Sequence, residues 1–170
     1  AATPGILRVA LRVRPDSVCL VPEKRREVTT EGGLDVLADS RNLGRVIPQL
    51  QKAGIRVSLF IDVAPAQIVR AADLGANMVE LHTGAFANAP TLKKRAGEVA
   101  RLRYAAGLAQ AAGLIVNAGH GINYENVGAL LSIPRLHEFN IGHSIICRAV
   151  AVGLETAVRE MLRLMNPSRG

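Results

Sequence analysis

Aromatic side chains are scarce in this sequence, at 3% of its 170 residues, and tryptophan is absent. Proteins that hold single-stranded nucleic acids stack the bases on aromatic rings, so such platforms are few here. The chain is nevertheless basic, with a formal net charge of +7 and a pI near 10.2. Its basic residues are spread along the chain, apart from short clusters at 25–26 and 93–95. Because a positive field attracts small phosphorylated substrates as well as nucleic acids, a basic nucleic-acid-binding module stays an alternative.

Cysteine and long apolar runs are also rare. The two cysteines, Cys19 and Cys147, lie in the apolar contexts SVCLV and IICRA, which predicts buried free thiols in a reducing, cytoplasmic compartment. No cysteine and histidine spacing matches a zinc site, so no metal is predicted. No apolar run approaches the roughly 18 residues that a membrane span needs. Arg8, Arg12 and Arg14 interrupt the first apolar stretch, which excludes the apolar region of a signal peptide.

Five short apolar runs recur along the chain, and helical patterns separate them. Their continuous apolar character is typical of strands buried on both faces of a parallel sheet. The alternation predicts an α/β fold of the parallel (β/α)8 TIM-barrel type, in a single domain over 1–170. A complete barrel usually needs about 250 residues, so we expect about the last five β/α units, with an open five-stranded sheet as the alternative. The runs are SVCLV (17–21), VSLFI (57–61), MVELH (78–82), LIVNA (114–118) and EFNI (138–141).

Apolar spacing, caps and stop signals predict the helices. A Thr3-Pro4 cap opens the first helix, and glycines at 54, 75 and 113 end three amphipathic patterns. Asn123 is expected to cap a short helix. The predicted helices cover 3–13, 39–53, 65–74, 91–112 and one long final helix over 144–165.

Glycine and histidine occur together at the ends of the last two runs, as Gly119-His120-Gly121 and as Gly142-His143. Ligands of parallel α/β folds bind at the carboxyl ends of strands. Glycine lets backbone amides approach a phosphate, and the positive end of a following helix points at it. We therefore expect a phosphate on these glycines and one or both histidines at the reacting atoms. Two helix-start turns with incidental histidines are the alternative.

Two further segments carry groups suited to chemistry. Glu80 and His82 are two residues apart in the third run, so they face the same side of the predicted strand. A carboxylate beside a histidine suits proton transfer or stabilisation of a developing cation, and a buried ion pair is the alternative. The polar segment 21–33 has the length of a lid, on which Thr29 and Thr30 are expected to contact substrate hydroxyls. A solvated charged loop is the alternative there.

Longer stretches resemble a known family. The combination of EKRREVTTEGG and NAGHG is highly specific for the pyridoxine 5′-phosphate synthases, and the resemblance follows that family's order through nearly the whole chain. It implies a cytoplasmic TIM-barrel enzyme with extra helices, usually assembled as a homo-octamer. The segments that carry it are LVPEKRREVTTEGGLDV, VSLFIDV, VELHTGAFA, VNAGHGINYENV and HEFNIGHSIICRAV.

The resemblance also implies a reaction and a set of site residues. Members condense 1-deoxy-D-xylulose 5-phosphate with 3-amino-2-oxopropyl phosphate to give pyridoxine 5′-phosphate, inorganic phosphate and water, without a metal or other cofactor. By motif, His120 resembles the proton donor and Glu80 the transition-state stabiliser. Thr29 resembles a ligand of the deoxyxylulose phosphate. The residues that resemble ligands of the aminooxopropyl phosphate are Gly121, Gly142 and His143.

The family's first three strands, with an N-I-D-H motif and a glutamate base, have no counterpart in this sequence. We therefore expect the chain to be the C-terminal two-thirds of such an enzyme, and its activity to depend on the remaining part. The implied partners are the two phosphorylated substrates, inorganic phosphate and further copies of the chain, but neither nucleic acid nor membrane. Another phosphate-binding TIM-barrel isomerase or synthase is the alternative within the fold, and EKRREVTTEGG argues against it.

Overall fold

The computed structural model describes residues 1–22 and 32–166, in which helices and strands alternate. The chain begins with a helix, and each of the strands that follow is succeeded by at least one helix. In chain order the elements are α1 (Pro4–Val13), β1 (Ser17–Leu20), α2 (Ser40–Lys52), β2 (Arg56–Ile61), α3 (Pro65–Asp73), β3 (Met78–His82), α4 (Gly84–Ala87), α5 (Leu92–Ala111), β4 (Ile115–Gly119), α6 (Val127–Leu130), β5 (Glu138–Asn140), α7 (His143–Val152) and α8 (Leu154–Met165).

The strands form one parallel sheet whose spatial order is the order of the sequence, β1-β2-β3-β4-β5. Every neighbouring pair is parallel, and the register places Glu80 beside Asn117 and Gly119 beside Asn140. Each strand is therefore added to the same edge, as in a barrel. A doubly wound sheet would instead reverse its strand order partway. The predicted fold class, a TIM-barrel type with five β/α units, is confirmed.

The sheet is strongly curled, because residues of its two outermost strands both donate hydrogen bonds to Glu80 on the central strand β3. The Cys19 thiol on β1 donates to Glu80 Oε2 over 3.3 Å, and the Asn140 amide on β5 donates to the same oxygen over 2.7 Å. The sulfur and the amide nitrogen are therefore no more than about 6 Å apart. In a flat sheet, strands four places apart would be separated by roughly 19 Å. The described strands consequently form half of a barrel.

The two faces of this half-barrel differ in polarity. The outer face packs against the helices and is fully apolar, which supplies much of the folding free energy at about 1.5–3 kcal/mol per buried aliphatic side chain. The inner face carries Ser58, Glu80, His82 and Asn117, of which all but His82 are buried. The prediction of strands buried on both faces is therefore confirmed for β2, β3 and β4, although their inner face is partly polar. The outer residues, each at most 1% exposed, are Val57, Leu59, Ile61, Val79, Leu81 and Val116.

Most helix boundaries follow the sequence signals. Thr3 Oγ1 accepts a hydrogen bond from the Ile6 amide at 3.4 Å and caps α1, as predicted. Helices α2, α3 and α5 end just before Gly54, Gly75 and Gly113. These capping and stop signals act within a few residues of each helix end, so tertiary packing does not change the helix boundaries that they predict.

The final helix is a correction to the prediction, because it is two helices separated at Gly153. This glycine has φ 82° and ψ 153°, a conformation that essentially only glycine adopts. The short helix predicted after Asn123 also begins later, at Val127. The Asn123 carboxamide instead accepts hydrogen bonds from the Glu125 and Asn126 amides, both at 3.0 Å, in an Asx turn.

Both cysteines are free. Cys147 is exposed, so the prediction of a buried thiol is wrong there, whereas Cys19, exposed as a whole residue, places its thiol in a desolvated position beside Glu80. Cys19 lies on β1, an edge of the described sheet, and Cys147 lies on α7, which has no buried residue. No helix in the described part of the chain is both long and apolar enough to cross a membrane.

Candidate functional site

A cavity of about 600 Å³ opens at the carboxyl ends of the strands. It is the place where ligands of parallel α/β folds bind. Of the predicted site residues, Glu80, His120, Gly121, Gly142 and His143 line it, whereas His82 does not. Thr29 and Thr30 lie outside the described residues, as does most of the predicted lid. The lining consists of Val21, Phe60, Glu80, His120, Gly121, Ile122, Asn123, Asn140, Ile141, Gly142, His143 and Ser144.

One wall of the cavity is the start of helix α7. Gly142 is its N-cap residue and His143 its first residue, and no acidic side chain lies in the first turn. The Ser144 hydroxyl donates to the Ile122 carbonyl at 2.8 Å, which joins this helix start to the loop after β4. The two Gly-His pairs therefore meet in space, as the sequence predicts. Free amides and the positive end of a ten-residue helix favour an anion at this wall.

The loop after β4 turns sharply through two residues with positive φ, His120 at 80° and Gly121 at 77°. A histidine rarely adopts this conformation, so the surroundings must hold it there. Thr83, the residue between β3 and α4, helps to hold it there, because its amide and its hydroxyl both donate to the Gly119 carbonyl, at 2.9 Å and 2.7 Å. The Asn126 amide donates to the Gly121 carbonyl at 3.0 Å. No sequence pattern predicted the supporting roles of Thr83 and Asn126.

Glu80 lies at the centre of the inner face, with 8% of its surface exposed. Burial raises the pKa of its carboxyl above the ordinary value of 4.5, while the hydrogen bonds from Cys19 and Asn140 act in the opposite direction. Burial is the larger influence, so the pKa of the Glu80 carboxyl is raised overall. Groups of this kind, placed in a cavity, are typical of catalytic sites.

His82 faces the same side as Glu80, as predicted, but its carboxylate partner is a different residue. His82 Nδ1 lies 3.0 Å from Asp62 Oδ1 at the end of β2. The same Asp62 oxygen accepts the Gly33 amide at 3.0 Å. The ring of His82 also contacts the ring of His120 edge-on, with their centroids 4.9 Å apart. Because β2 and β3 are neighbours, their carboxyl ends bring Asp62 and His82 together, which spacing along one strand cannot reveal.

The described wall of the cavity contains no lysine and no arginine. Attraction for an anion therefore comes from backbone amides, from the helix α7 and from His143. Within residues 1–22 and 32–166, no cluster of three or more histidine, cysteine, aspartate or glutamate side chains is placed to hold a metal ion.

A parallel half-barrel with a helix N-terminus, a carboxylate and histidines around a cavity at its carboxyl end is typical of TIM-barrel enzymes that bind phosphates. The model of one family, the pyridoxal phosphate biosynthesis protein PdxJ, matches residues 1–167. The chain belongs to this family.

Several relatives extend this finding, each carrying the name pyridoxine 5′-phosphate synthase. The protein of Opitutus terrae is 53% identical over 168 residues, which are 98% of this chain and 68% of that protein. The protein of Prochlorococcus marinus is 53% identical over 170 residues, covering 99% of this chain and 69% of its own length. The protein of Akkermansia muciniphila is 54% identical over 165 residues, covering 96% and 67%. The chain thus spans about two thirds of the length of these relatives.

Proposed function

We propose that this chain carries the phosphate-binding and proton-transfer half of a pyridoxine 5′-phosphate synthase. The reaction condenses 1-deoxy-D-xylulose 5-phosphate with 3-amino-2-oxopropyl phosphate and releases inorganic phosphate and water. One observation supports this above the others: both Gly-His pairs and Glu80 line a single cavity at the start of α7. The family membership supports the choice of this reaction over other phosphate-binding barrels.

The phosphate of the aminooxopropyl substrate is proposed to bind where the two loops meet. Gly121 and Gly142 line the cavity together with the start of α7, whose first residue is His143. A cluster of neutral donors holds a phosphate dianion without burying a second full charge. Thr29 is proposed to bind the deoxyxylulose phosphate.

Proton transfer is assigned to His120, at the turn above the cavity. The condensation needs addition of an amine to a ketone, eliminations and ring closure, and each of these steps moves a proton. A histidine performs such transfers near neutral pH, because its ordinary pKa lies close to the working pH. The positive φ of His120, enforced by Thr83, directs its side chain towards the space beside the phosphate wall.

Glu80 is proposed to stabilise the positive charge that develops on the substrate nitrogen. Its carboxylate is fixed in position before the substrate binds, and fixed charges cost little reorganisation during the reaction. The Glu80 side chain is buried, and charges attract one another more strongly in a buried site than in water, so its carboxylate stabilises a developing cation more than an exposed carboxylate would. No cofactor or metal takes part in this proposal. The protein is proposed to act in the cytoplasm as a homo-oligomer.

The phosphate part of the proposal can be tested apart from turnover. The His143→Ala variant should bind inorganic phosphate at least several-fold more weakly, as measured by ³¹P nuclear magnetic resonance titration. The matched control is His137→Ala, because His137 is exposed and does not line the cavity. Equal phosphate affinity in the two variants would contradict the assignment.

The reaction itself is tested by following pyridoxine 5′-phosphate formation from the two substrates by absorbance. Turnover that requires both phosphorylated substrates supports the proposal. Isomerisation of one sugar phosphate without the amine would instead indicate another barrel enzyme. Tight binding of an RNA oligonucleotide that phosphate does not displace would favour the basic nucleic-acid-binding alternative.

A further inference from the structure

The carboxylate of Glu80 is contacted by residues from both outermost strands of the described sheet. Cys19 on β1 and Asn140 on β5 donate to the same oxygen, Oε2, over 3.3 Å and 2.7 Å. Each donor occupies an inward-facing position at the cavity end of its strand. Two donors on one carboxylate oxygen restrict both its position and the rotation of the group.

The second oxygen of the carboxylate is restricted by shape. Glu80 Oε1 lies over Gly119 on the adjacent strand β4, so closely that a Cβ built on this glycine would be 2.0 Å away. The same Cβ would lie 3.1 Å from the Asn140 Cβ. The carboxylate therefore occupies the space that the missing side chain of Gly119 leaves on β4. Strands β1 and β5 supply its two hydrogen-bond donors.

We propose that Cys19 and Asn140, with Gly119, are positioning residues that hold the Glu80 carboxylate in its working orientation. The proposal deepens the function proposed above and rests on the role given there to Glu80. None of these three residues needs to touch the substrate. Their contribution is to present Oε1 towards the cavity while Oε2 is occupied.

The charged groups around Glu80 set its pKa, so they determine how the pH–rate profile changes when a hydrogen-bond donor is removed. Glu138 on β5 raises the pKa of Glu80, and His82 on the same strand as Glu80 lowers it. His120 lines the same cavity from the loop after β4. Because the Cys19 and Asn140 hydrogen bonds both lower this pKa, removing either donor raises it further. The acidic limb of the pH–rate profile should then move to higher pH.

The first test measures the contact without turnover. Desolvation of the thiol, together with the Glu80 charge and hydrogen bond, raises the pKa of Cys19 to about 12. In Glu80→Gln the charge of Glu80 is removed, so the pKa of the Cys19 thiol should fall and more of the thiol should be ionised at pH 9. Alkylation of Cys19 by iodoacetamide at pH 9 should therefore become faster, by roughly tenfold for each pKa unit of that fall. Peptide mass spectrometry follows each thiol separately, and Cys147 is the internal reference.

A matched control separates direct contact from a general field. Glu138→Gln removes a carboxylate that lies on the strand of Asn140 but makes no hydrogen bond to Cys19. It should change the Cys19 alkylation rate far less than Glu80→Gln does. Equal rates in Glu80→Gln and the wild type would overturn the contact on which the proposal depends.

The second test measures the consequence for turnover. Asn140→Ala should lower kcat by roughly 10- to 100-fold, the size expected for loss of a hydrogen bond to a charged group, with KM nearly constant. Cys19→Ala should lower kcat less, because a thiol is a weak donor, and should move the acidic limb upward. Cys19→Ser, which keeps a donor, should recover most of that loss.

The two tests distinguish the possible failures. If Glu80→Gln keeps full turnover, the proposed role of Glu80 is wrong, whatever the alkylation shows. If Glu80→Gln is inactive but Asn140→Ala and Cys19→Ala both keep the wild-type pH profile and kcat, the positioning proposal is overturned while the function stands.

Discussion

Replacing Gly119 by alanine adds one carbon atom at the most crowded point of the site. The new Cβ would lie 2.0 Å from Glu80 Oε1, where ordinary contacts begin at 3.4 Å. The carboxylate must therefore move by more than about 1 Å. Its hydrogen bond to Asn140, now 2.7 Å long, would then exceed the length at which a hydrogen bond persists.

Both the stability and the activity of Gly119→Ala should respond. Overpacking costs about 1–3 kcal/mol, and part of this is relieved because the carboxylate can swing into the cavity. We therefore expect the free energy of unfolding to fall by about 1–3 kcal/mol, measured by urea denaturation with circular dichroism. Turnover should fall at least roughly tenfold, because the displaced Glu80 no longer faces the substrate nitrogen.

The control for this variant is Gly97→Ala, on the exposed side of α5. Nothing lies within 4 Å of a Cβ at this position, so alanine should raise the free energy of unfolding by up to about 1 kcal/mol. Turnover should be unchanged. If Gly119→Ala had the same free energy of unfolding and the same kcat as Gly97→Ala, the inference that Gly119 leaves space for the Glu80 carboxylate would be refuted.

Three other changes give distinct results. His120→Ala should lower kcat by roughly 10²–10⁴ with little change in KM, in steady-state assays of product formation. Gly153→Ala should cost about 1–3 kcal/mol in urea denaturation, since alanine tolerates φ 82° and ψ 153° poorly. Glu80→Gln should gain stability over the wild type at pH 8 but not at pH 4. Burial raises the folded-state pKa of Glu80. The contribution of neutral Glu80 to wild-type stability is therefore fully present below its ordinary pKa, and it is lost as the pH rises through the raised value.

The fold was readable from the sequence because its signals are local. Each strand ends where an apolar run meets glycine or polar residues, and the helices stop at glycines. The meeting of Gly121, Gly142 and His143 followed from the rule that the carboxyl ends of parallel strands share one edge. The strands have the same order in the sheet as in the sequence. The loops that follow consecutive strands are therefore neighbours in the site.

What sequence reasoning missed depends on contacts between strands or on one backbone angle. The pairing of His82 with Asp62 joins two strands, and residue spacing within one strand favoured Glu80 instead. The break at Gly153 lies inside an amphipathic pattern that continues on both sides, so periodicity gave no sign of it. The exposure of Cys147 follows from its place on α7, a helix without buried residues, which the apolar context IICRA does not indicate.

Strand β5 has only three residues, Glu138–Asn140, and lies at the edge of the described sheet. Short edge strands open at a lower free energy than the rest of a domain. When β5 detaches, Glu80 loses the Asn140 amide although the remaining sheet and the outer helices stay folded. Heating the 170-residue chain should therefore break the contact between Glu80 and Asn140 several degrees below the melting transition seen by circular dichroism. The contact would re-form on cooling, because the loss is a local opening and not unfolding of the core.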